Sequence, residues 1–427
     1  MKTYQETLDF LFSQLPMYQK VGKSAFKKDL TNTRALLEAL GNPEQTFKSI
    51  HIAGTNGKGS SAAMLNAILI EAGYHTGCYT SPHLKSFTER ITLNGQPIHE
   101  EEVIAFTELI QPQIKTIQPS FFEITVAMAF WYFSKQEVDI AIIETGLGGR
   151  LDSTNVITPE VALITKIGMD HMDMLGNTLA AIAGEKAGII KPNVPTVLGS
   201  DQPEIIHVFE EKARSLDSEL IVSRDRYRWE SKEGPIGKQT IDLQVGETLM
   251  YESLEVNSAA DYVLDNLPGV LEVLEKLRPK YAEINEQAIR QGLAKFQLKG
   301  RMQLLSRNPL VVADVSHNEQ GLKALFHQVR QWPVDKLRIV LGLVREKDLS
   351  TVLTILPKDA IYYFTQSQVP RALPLSALKI AAMDVGMHGA AFANVNIAMA
   401  EAKTQAGEND CILICGSTFV VAEINDL

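Results

Sequence analysis

The sequence predicts an α/β protein with an N-terminal domain built on a doubly wound, mostly parallel sheet. A smaller Rossmann-like α/β domain is expected after it. Three observations carry this expectation. Short, near-continuous apolar runs of strand length alternate with segments of helical spacing, the pattern of parallel strands covered by helices on both faces. The first such run opens directly into a glycine-rich turn and a helix. The chain has 427 residues, more than one core of ordinary size holds, so two domains are expected.

Taken in order, the first 45 residues read as a helix, a basic loop (YQKVGKSAFKKD) and a second helix (LTNTRALLEALG) ended by Gly41. KSIHIA is a short strand and residues 58–72 carry helical spacing. HTGCYT is the next strand, and EEVIAFTELIQPQI and SFFEITVAMAFWYFSK are helices. VDIAIIET and EVALITKI read as strands buried on both faces, GNTLAAIAGEKAGIIK as a helix and VPTVLGS as a further strand. Residues 219–256 mix polar and aromatic positions and suggest small β-hairpins at the domain edge. A long helical region is expected over 259–296. The alternation restarts after LKGRMQLL with the strands LVVADVS, LRIVLGLV, AIYYFT and CILICGS. The domain boundary is placed near residue 298, giving domains 1–298 and 299–427.

Composition narrows the function. Lys plus Arg number 41 against 51 Asp plus Glu, a formal charge of −10, which argues against wholesale binding of nucleic acid or an anionic membrane. A phosphate site survives that argument, because local amides and one or two cations reverse the field inside a cleft. Cys78, Cys411 and Cys415 are too few for a disulfide framework and suit a reducing compartment. The N-terminal residues carry acids where a signal peptide needs a clean apolar core, and no apolar run approaches the length of a membrane span. We therefore expect a cytoplasmic protein, without a membrane partner, acting as a monomer on small molecules.

The stretch HIAGTNGKGSSAAML, residues 51–65, is the most informative. A strand, a glycine-rich turn and a helix make a phosphate cradle: glycines free the backbone amides to face the oxygens, and the helix N-terminus favours an anion. Asn56, Gly57, Lys58, Gly59 and Ser60 form the cradle, with Lys58 reaching the outer phosphates. The generic form G-x-x-x-x-G-K-[ST] is altered here. Ile52 stands where its first glycine would be, and Gly59 separates the lysine from Ser60. An ordinary strand-to-helix turn is the bland alternative. Independently, Glu144 ends a buried parallel strand, where open α/β sheets bind their ligands.

The altered loop, G-T-N-G-K-G-S, resembles that of the folylpolyglutamate synthases and dihydrofolate synthases of the Mur ligase superfamily. The resemblance extends in order through YTSPHLKSFTERITLNG, SFFEITVAMAF, ETGLGGRLDSTNV and ITKIGMDHMDMLGNTLAAIAGEKAGIIK. It continues through GRMQ, DVSHN, GLVREKD, YYFTQSQVPRAL and GSTFVVAE. It covers almost the whole chain and is weakest between about 200 and 260.

The resemblance implies an ATP-dependent ligase that adds L-glutamate to dihydropteroate, to folates, or to both, through an acyl phosphate. It implies Mg2+ held by Ser81, Glu144 and His171, with Lys186 expected to be carbamylated and to join them as an anion. K+ is a further family habit with no place in the sequence. Phe121, Phe122, Glu123, Leu151, Asp152 and Ser153 match the pterin-lining segments, and the basic loop near Ala25 and Lys28 would also reach the pterin. Asn266, Arg301 and Asp314 are carried over to the nucleotide, and His317 to its phosphates. Lys58, His171, Lys186 and His317 are the catalytic candidates. Two departures stand out. Val315-Ser316 replaces the usual Gly-Ala between the acid and the histidine, and Tyr262-Val263 replaces a His-Gln or Tyr-Gln pair. Two alternatives stay open: a Mur-type ligase acting on a cell-wall precursor, and a degenerate nucleotide-binding homologue without turnover.

Overall fold

The computed structural model describes residues 3–15, 29–345 and 349–427. The basic loop with Ala25 and Lys28 lies outside the described residues, as does part of GLVREKD. The chain divides into two compact units. The first comprises residues 1–230, 241–255 and 265–296; the second comprises 231–240, 256–264 and 297–427.

The first unit is built on eight strands: β1 (Lys48–Ala53), β2 (Thr76–Tyr79), β3 (Ile91–Leu93), β4 (Gln96–Pro97), β5 (Ile140–Glu144), β6 (Val161–Ile164), β7 (Thr196–Leu198) and β8 (Leu220–Val222). Their order across the sheet is β4-β3-β2-β5-β1-β6-β7-β8. The pairs running from β2 through β5, β1, β6 and β7 to β8 are parallel, and β3 pairs antiparallel with both β2 and the edge strand β4. That edge is a hairpin turned by Asn94 and Gly95, both at positive φ, the residue pair a tight hairpin turn favours.

The strand order reverses around β1. The chain leaves β1 to reach β2 on one side and later fills the opposite side with β6, so the carboxyl ends of β1 and β5 border the crevice where such sheets hold ligands. Register fixes what lies there: Ile52 pairs with Glu144 and Ala53 with Ile164, which puts Glu144 level with the last turn of β1.

The expected helical region 259–296 is three helices, Asp261–Leu264, Leu267–Leu277 and Glu286–Lys295. Pro268 sits near the start of the second, where its missing N–H costs nothing. Asn285 starts the third, its side chain accepting from Ala288 N. Likewise the expected helix over 176–191 runs only from Leu179 to Lys186, followed by a short 3-10 turn, Ala187–Ile189. The mixed segment after residue 219 supplies β8 and then a three-stranded meander of β9 (Tyr227–Lys232), β10 (Gln239–Val245) and β11 (Thr248–Val256), through which the unit boundary passes.

The second unit holds β12 (Gln303–Arg307), β13 (Leu310–Ala313), β14 (Leu337–Leu341), β15 (Ile361–Phe364), β16 (Gly389–Ala391) and β17 (Cys411–Cys415) in the order β12-β13-β17-β14-β15-β16. The four inner strands are the apolar runs visible in the sequence. The edges β12 and β16 are short and largely wet, so no such run marks them. All three cysteines are buried and free.

Helix Glu286–Lys295 packs on helix Lys58–Glu71 through a backbone-to-backbone approach at Gly292. A Cβ there would lie 2.5 Å from the Ile68 Cα. Gly292→Ala is therefore expected to destabilise the protein by about 1–3 kcal/mol, the cost of forcing an added methyl into a packed contact. Gly184, in the helix Leu179–Lys186, has open space at its Cβ position. Gly184→Ala should stabilise by up to about 1 kcal/mol. Urea midpoints at unchanged m-value measure both; equal shifts of the same sign would refute the packing account.

Candidate active site

β1 ends in two glycines with no freedom to be anything else. Gly54 has φ +154°, and a Cβ on it would fall 1.8 Å from Thr165 Oγ1. Gly57 has φ +98°, and its Cβ would fall 2.0 Å from Asn266 Oδ1. Gly57 is also the N-cap of the helix that begins at Lys58. Between them the turn is pinned to the segment after β6: Thr55 N donates to Lys166 O at 2.9 Å, and Gly168 N donates to Thr55 Oγ1 at 3.0 Å. Gly59 differs. The only heavy atom its Cβ would meet is Glu144 Oε2, at 3.9 Å, so the protein leaves room above it.

Charged groups gather around this turn. Lys58 Nζ donates to Gly54 O at 3.1 Å and stands 3.8 Å from Glu144 Oε1. Lys186 Nζ donates to the same Gly54 oxygen at 2.7 Å. Ser81 N donates to Glu144 Oε2 at 3.2 Å. Burial, and then the neighbouring Lys58 charge, hold the Lys186 amine down at about 7, against the opposing pull of Asp170 and Asp152. Much of that amine is therefore uncharged near neutrality.

Ser60 Oγ donates to Gly57 O at 3.0 Å and accepts from Asn266 Nδ2 at 3.2 Å, so Asn266 lies over the loop. His171, at φ 48°, starts the short helix Met172–Leu175, and its N–H donates to Asp170 Oδ1 at 3.0 Å. The structure thus joins Ser81, Glu144, Lys58 and Lys186 through direct contacts or a shared acceptor. It sets His171 on the segment that continues from the one Thr55 pins. Asp170, whose charge acts on Lys186, belongs to this group, and the sequence reading passed over it.

Among the described residues, no three His, Cys, Asp or Glu side chains gather as a metal cage. The donor set is instead one buried carboxylate at a strand end with a hydroxyl residue beside it. Hard oxygen donors in that number suit Mg2+, which keeps water and phosphate oxygens in its shell.

The pterin-side candidates lie in the same unit. The Phe122 ring covers Gly146, where a Cβ would stand 2.3 Å from the ring's Cζ, and its centroid is 6.3 Å from that of Tyr79. Phe121 is buried in an aromatic cluster with Phe12 and Phe87, and the Arg90 guanidinium lies 5.4 Å from its ring centre. Glu123 closes a capping box: its Oε2 accepts Ser120 N at 2.6 Å, while Ser120 Oγ accepts Glu123 N at 3.2 Å. Asp152 is buried. Its Oδ2 accepts Leu147 N at 2.8 Å, and its Oδ1 accepts Thr154 N at 3.0 Å and Thr154 Oγ1 at 2.6 Å. Ser153 is buried and Leu151 half-buried on the same turn.

Arg90 and His83 were missed from sequence, although both stand in the matched run SPHLKSFTER. Arg90 is buried and its Nε donates to His83 Nδ1 at 2.8 Å. Burial, helped by the Arg90 charge, pushes the His83 imidazole down to about 3, so it stays neutral and accepts.

In the second unit Asp314 is fully buried at the end of β13. It accepts from Tyr262 Oη at 2.5 Å, Met302 N at 2.8 Å and Ser316 N at 2.8 Å. Residues of both departing segments pack around it, and Val263 and Val315 are themselves buried. Tyr262 is the hydroxyl that Asp314 holds, and Val315 turns its side chain into the core while its N–H donates to Gly300 O at 2.8 Å. Arg301 adjoins Met302, and its charge is felt by Tyr262. His317 Nδ1 lies 2.9 Å from Val315 O, one residue before Asn318 caps the helix Glu319–Val329.

Residues 52–224 match the Mur ligase middle domain and residues 300–418 the glutamate ligase domain of the Mur ligases. The dihydrofolate synthase/folylpolyglutamate synthase of Bacillus subtilis (strain 168) is 34% identical over 99% of this chain and 98% of that protein. Among solved structures, Escherichia coli FolC in complex with DHPP and ADP is 28% identical with a TM-score of 0.86, over 99% of this chain and 96% of that one. A bifunctional folylpolyglutamate synthase/dihydrofolate synthase with Mn, AMPPNP and L-glutamate bound is 29% identical with a TM-score of 0.83, over 99% of this chain and 97% of that one. With the altered phosphate loop, its two lysines and the strand-end carboxylate in place, the chain belongs to the folylpolyglutamate synthase/dihydrofolate synthase family of the Mur ligases.

Proposed function

We propose that this protein is a cytoplasmic, monomeric, ATP-dependent ligase that joins L-glutamate to dihydropteroate and to folate (poly)glutamates. The observation that carries the proposal is the convergence of Lys58, Lys186 and Glu144 on the end of β1, in the same unit as the Phe122–Gly146 wall. No helix among the described residues is long and apolar enough to cross a membrane.

The substrate chemistry is a pair of displacements. The carboxylate of the pterin-bearing acceptor attacks the γ-phosphorus of ATP, the bridging P–O bond breaks, and ADP leaves. The resulting acyl phosphate is attacked by the glutamate amine. The C–O bond to phosphate breaks, an amide forms, and the amine gives up its proton. Lys58 and the amides of residues 57–60 neutralise the phosphates while the first bond forms. Gly59 leaves the space for them. Glu144 and Ser81, with His171, would hold Mg2+, which supplies further charge neutralisation at phosphate oxygens. Lys186, as a neutral amine, takes up CO2 to form an N–C bond and releases one proton, which leaves a carbamate anion in place of the uncharged amine. Phe122 offers a flat face to the pterin ring, and Asp152 and Ser153 its polar edge. Arg301, Asp314 and His317 carry the nucleotide-side roles that the family resemblance implies, together with Asn266. K+ is the activating monovalent ion, with no residue assigned to it.

The purified protein, given ATP, Mg2+, K+ and L-glutamate, should add one glutamate by mass to both dihydropteroate and tetrahydrofolate, and faster in KCl than in NaCl. Gain on one acceptor alone reduces the reading to a single activity; gain on neither overturns it. Lys58→Ala should lower turnover by at least about a hundredfold, the scale of losing one preorganised charge at a phosphoryl-transfer site.

A second outcome concerns Lys186. With 13C-labelled bicarbonate, the wild-type protein should show a carbamate carbonyl resonance that Lys186→Arg lacks. A spectrum without that resonance in the active wild type removes carbamylation from the proposal and leaves Lys186 as an unmodified amine.

A further inference from the structure

One histidine in the core of the first unit has no place in this chemistry. His51 lies in the middle of β1, between β5 and β6, opposite Ile143 and Ala162, and it is fully buried. Every other residue of β1 from Ile50 to Ala53 is apolar, so an imidazole here gives up hydration that a valine or leucine would not need. Its Nε2 is 2.9 Å from Thr154 Oγ1.

The direction of that bond follows from the next one. Burial pushes the Asp152 carboxyl up and the hydrogen bonds it accepts pull it back; with Oδ1 accepting Thr154 N and Oδ2 accepting Leu147 N, the proton of Thr154 Oγ1, 2.6 Å from Oδ1, points to Asp152. Thr154 then accepts from His51, which fixes the imidazole as the Nε2–H tautomer. Its Nδ1 is buried with no hydrogen-bond partner. Burial, helped by the nearby Lys191 charge, pushes the imidazole down to about 3, so the ring stays neutral throughout the working range. Asp152 continues the chain from its other oxygen, which accepts Leu147 N at 2.8 Å. Leu147 follows Gly146, the glycine covered by Phe122.

We infer that His51 is a positioning residue for acceptor binding: through Thr154 it fixes the Asp152 carboxylate and, with it, the loop 146–153. The inference rests on the proposed pterin role of that loop. It adds a residue of β1, three positions before the phosphate loop begins, as the fixed point from which the acceptor side is set. A leucine would fill the strand as well but would leave the Thr154 hydroxyl without its donor.

Binding, read separately from turnover, tests this. Titration calorimetry of the full chain gives the Kd of dihydropteroate in the presence of ADP, and the Kd of AMPPNP by itself. His51→Leu should weaken dihydropteroate roughly tenfold, the size of a lost buried hydrogen bond, with AMPPNP unchanged within about twofold. His51→Gln, whose amide nitrogen replaces the Nε2–H donor, should recover most of the loss. Thr154→Val should match His51→Leu, and the double variant should be no worse than Thr154→Val, because both cut one chain.

Dihydropteroate binding that is unchanged in His51→Leu overturns the inference. So does an equal loss for both ligands, a His51→Gln no better than His51→Leu, or additive effects in the double variant. If His51→Leu does not fold, Thr154→Val and His51→Gln carry the same comparison. A wild type that binds dihydropteroate but transfers no glutamate refutes the proposed function and leaves this test standing. A wild type that binds no dihydropteroate refutes both.

Discussion

Two lysine side-chain nitrogens converge on one carbonyl oxygen, and the candidate site of the first unit is arranged around that fact. Lys58 and Lys186 both donate to Gly54 O, and the Glu144 carboxylate stands 3.8 Å from Lys58. Like charges sharing an acceptor in a buried setting repel strongly, because the medium screens them poorly. Burial first, and then that repulsion from Lys58, depress the basicity of Lys186. A protein with a formal charge of −10 thus keeps a small positive focus at the mouth of its central strand. Incoming phosphate oxygens, or conversion of one lysine to an anion, would each relieve the same repulsion. The cluster is possible only because Gly54 turns its carbonyl inward at a backbone angle that a side chain would forbid, against Thr165.

The sequence made much of this legible because the features are local. A strand, a glycine-rich turn and a lysine at the first helical position lie within a dozen residues, and the turn chemistry has one main reading. Glu144 could be placed from the end of an apolar run. Asn94-Gly95 at the β3–β4 hairpin and the capping box Ser120-x-x-Glu123 are equally local patterns, and both went unread. What the sequence could not display are contacts across long separations. His51 meets Thr154 at a distance of 103 residues, and Asn266 reaches Ser60 across 206. Nothing in the character of His51 or Thr154 marks them as partners before the sheet is assembled. The segments Tyr262-Val263 and Val315-Ser316 stood out in the sequence, but the contacts of Tyr262 and Val315 did not. One supplies a hydroxyl to Asp314 and the other fills core volume, so the Asp314 turn keeps its hydrogen bonds.

The pterin-side acids show why residue type alone overstates chemistry. Glu123 suggested a hydrogen-bonding partner for a flat heterocycle, yet its carboxylate is committed to the start of its own helix and accepts from Ser120 N at 2.6 Å. Asn32 adds a contact to the same oxygen at 3.4 Å. A side chain held this way acts through the backbone it fixes. Here it sets the first turn of the helix Phe121–Lys135 and so the direction in which Phe121 and Phe122 leave it. Phe121 then points into the aromatic cluster beneath Arg90, and Phe122 lies over Gly146. On the proposed function, selectivity for the acceptor ring would fall on the Phe122 face and on the loop 146–153. The buried acid guarantees the angle of the first, and Asp152 holds the second closed from within.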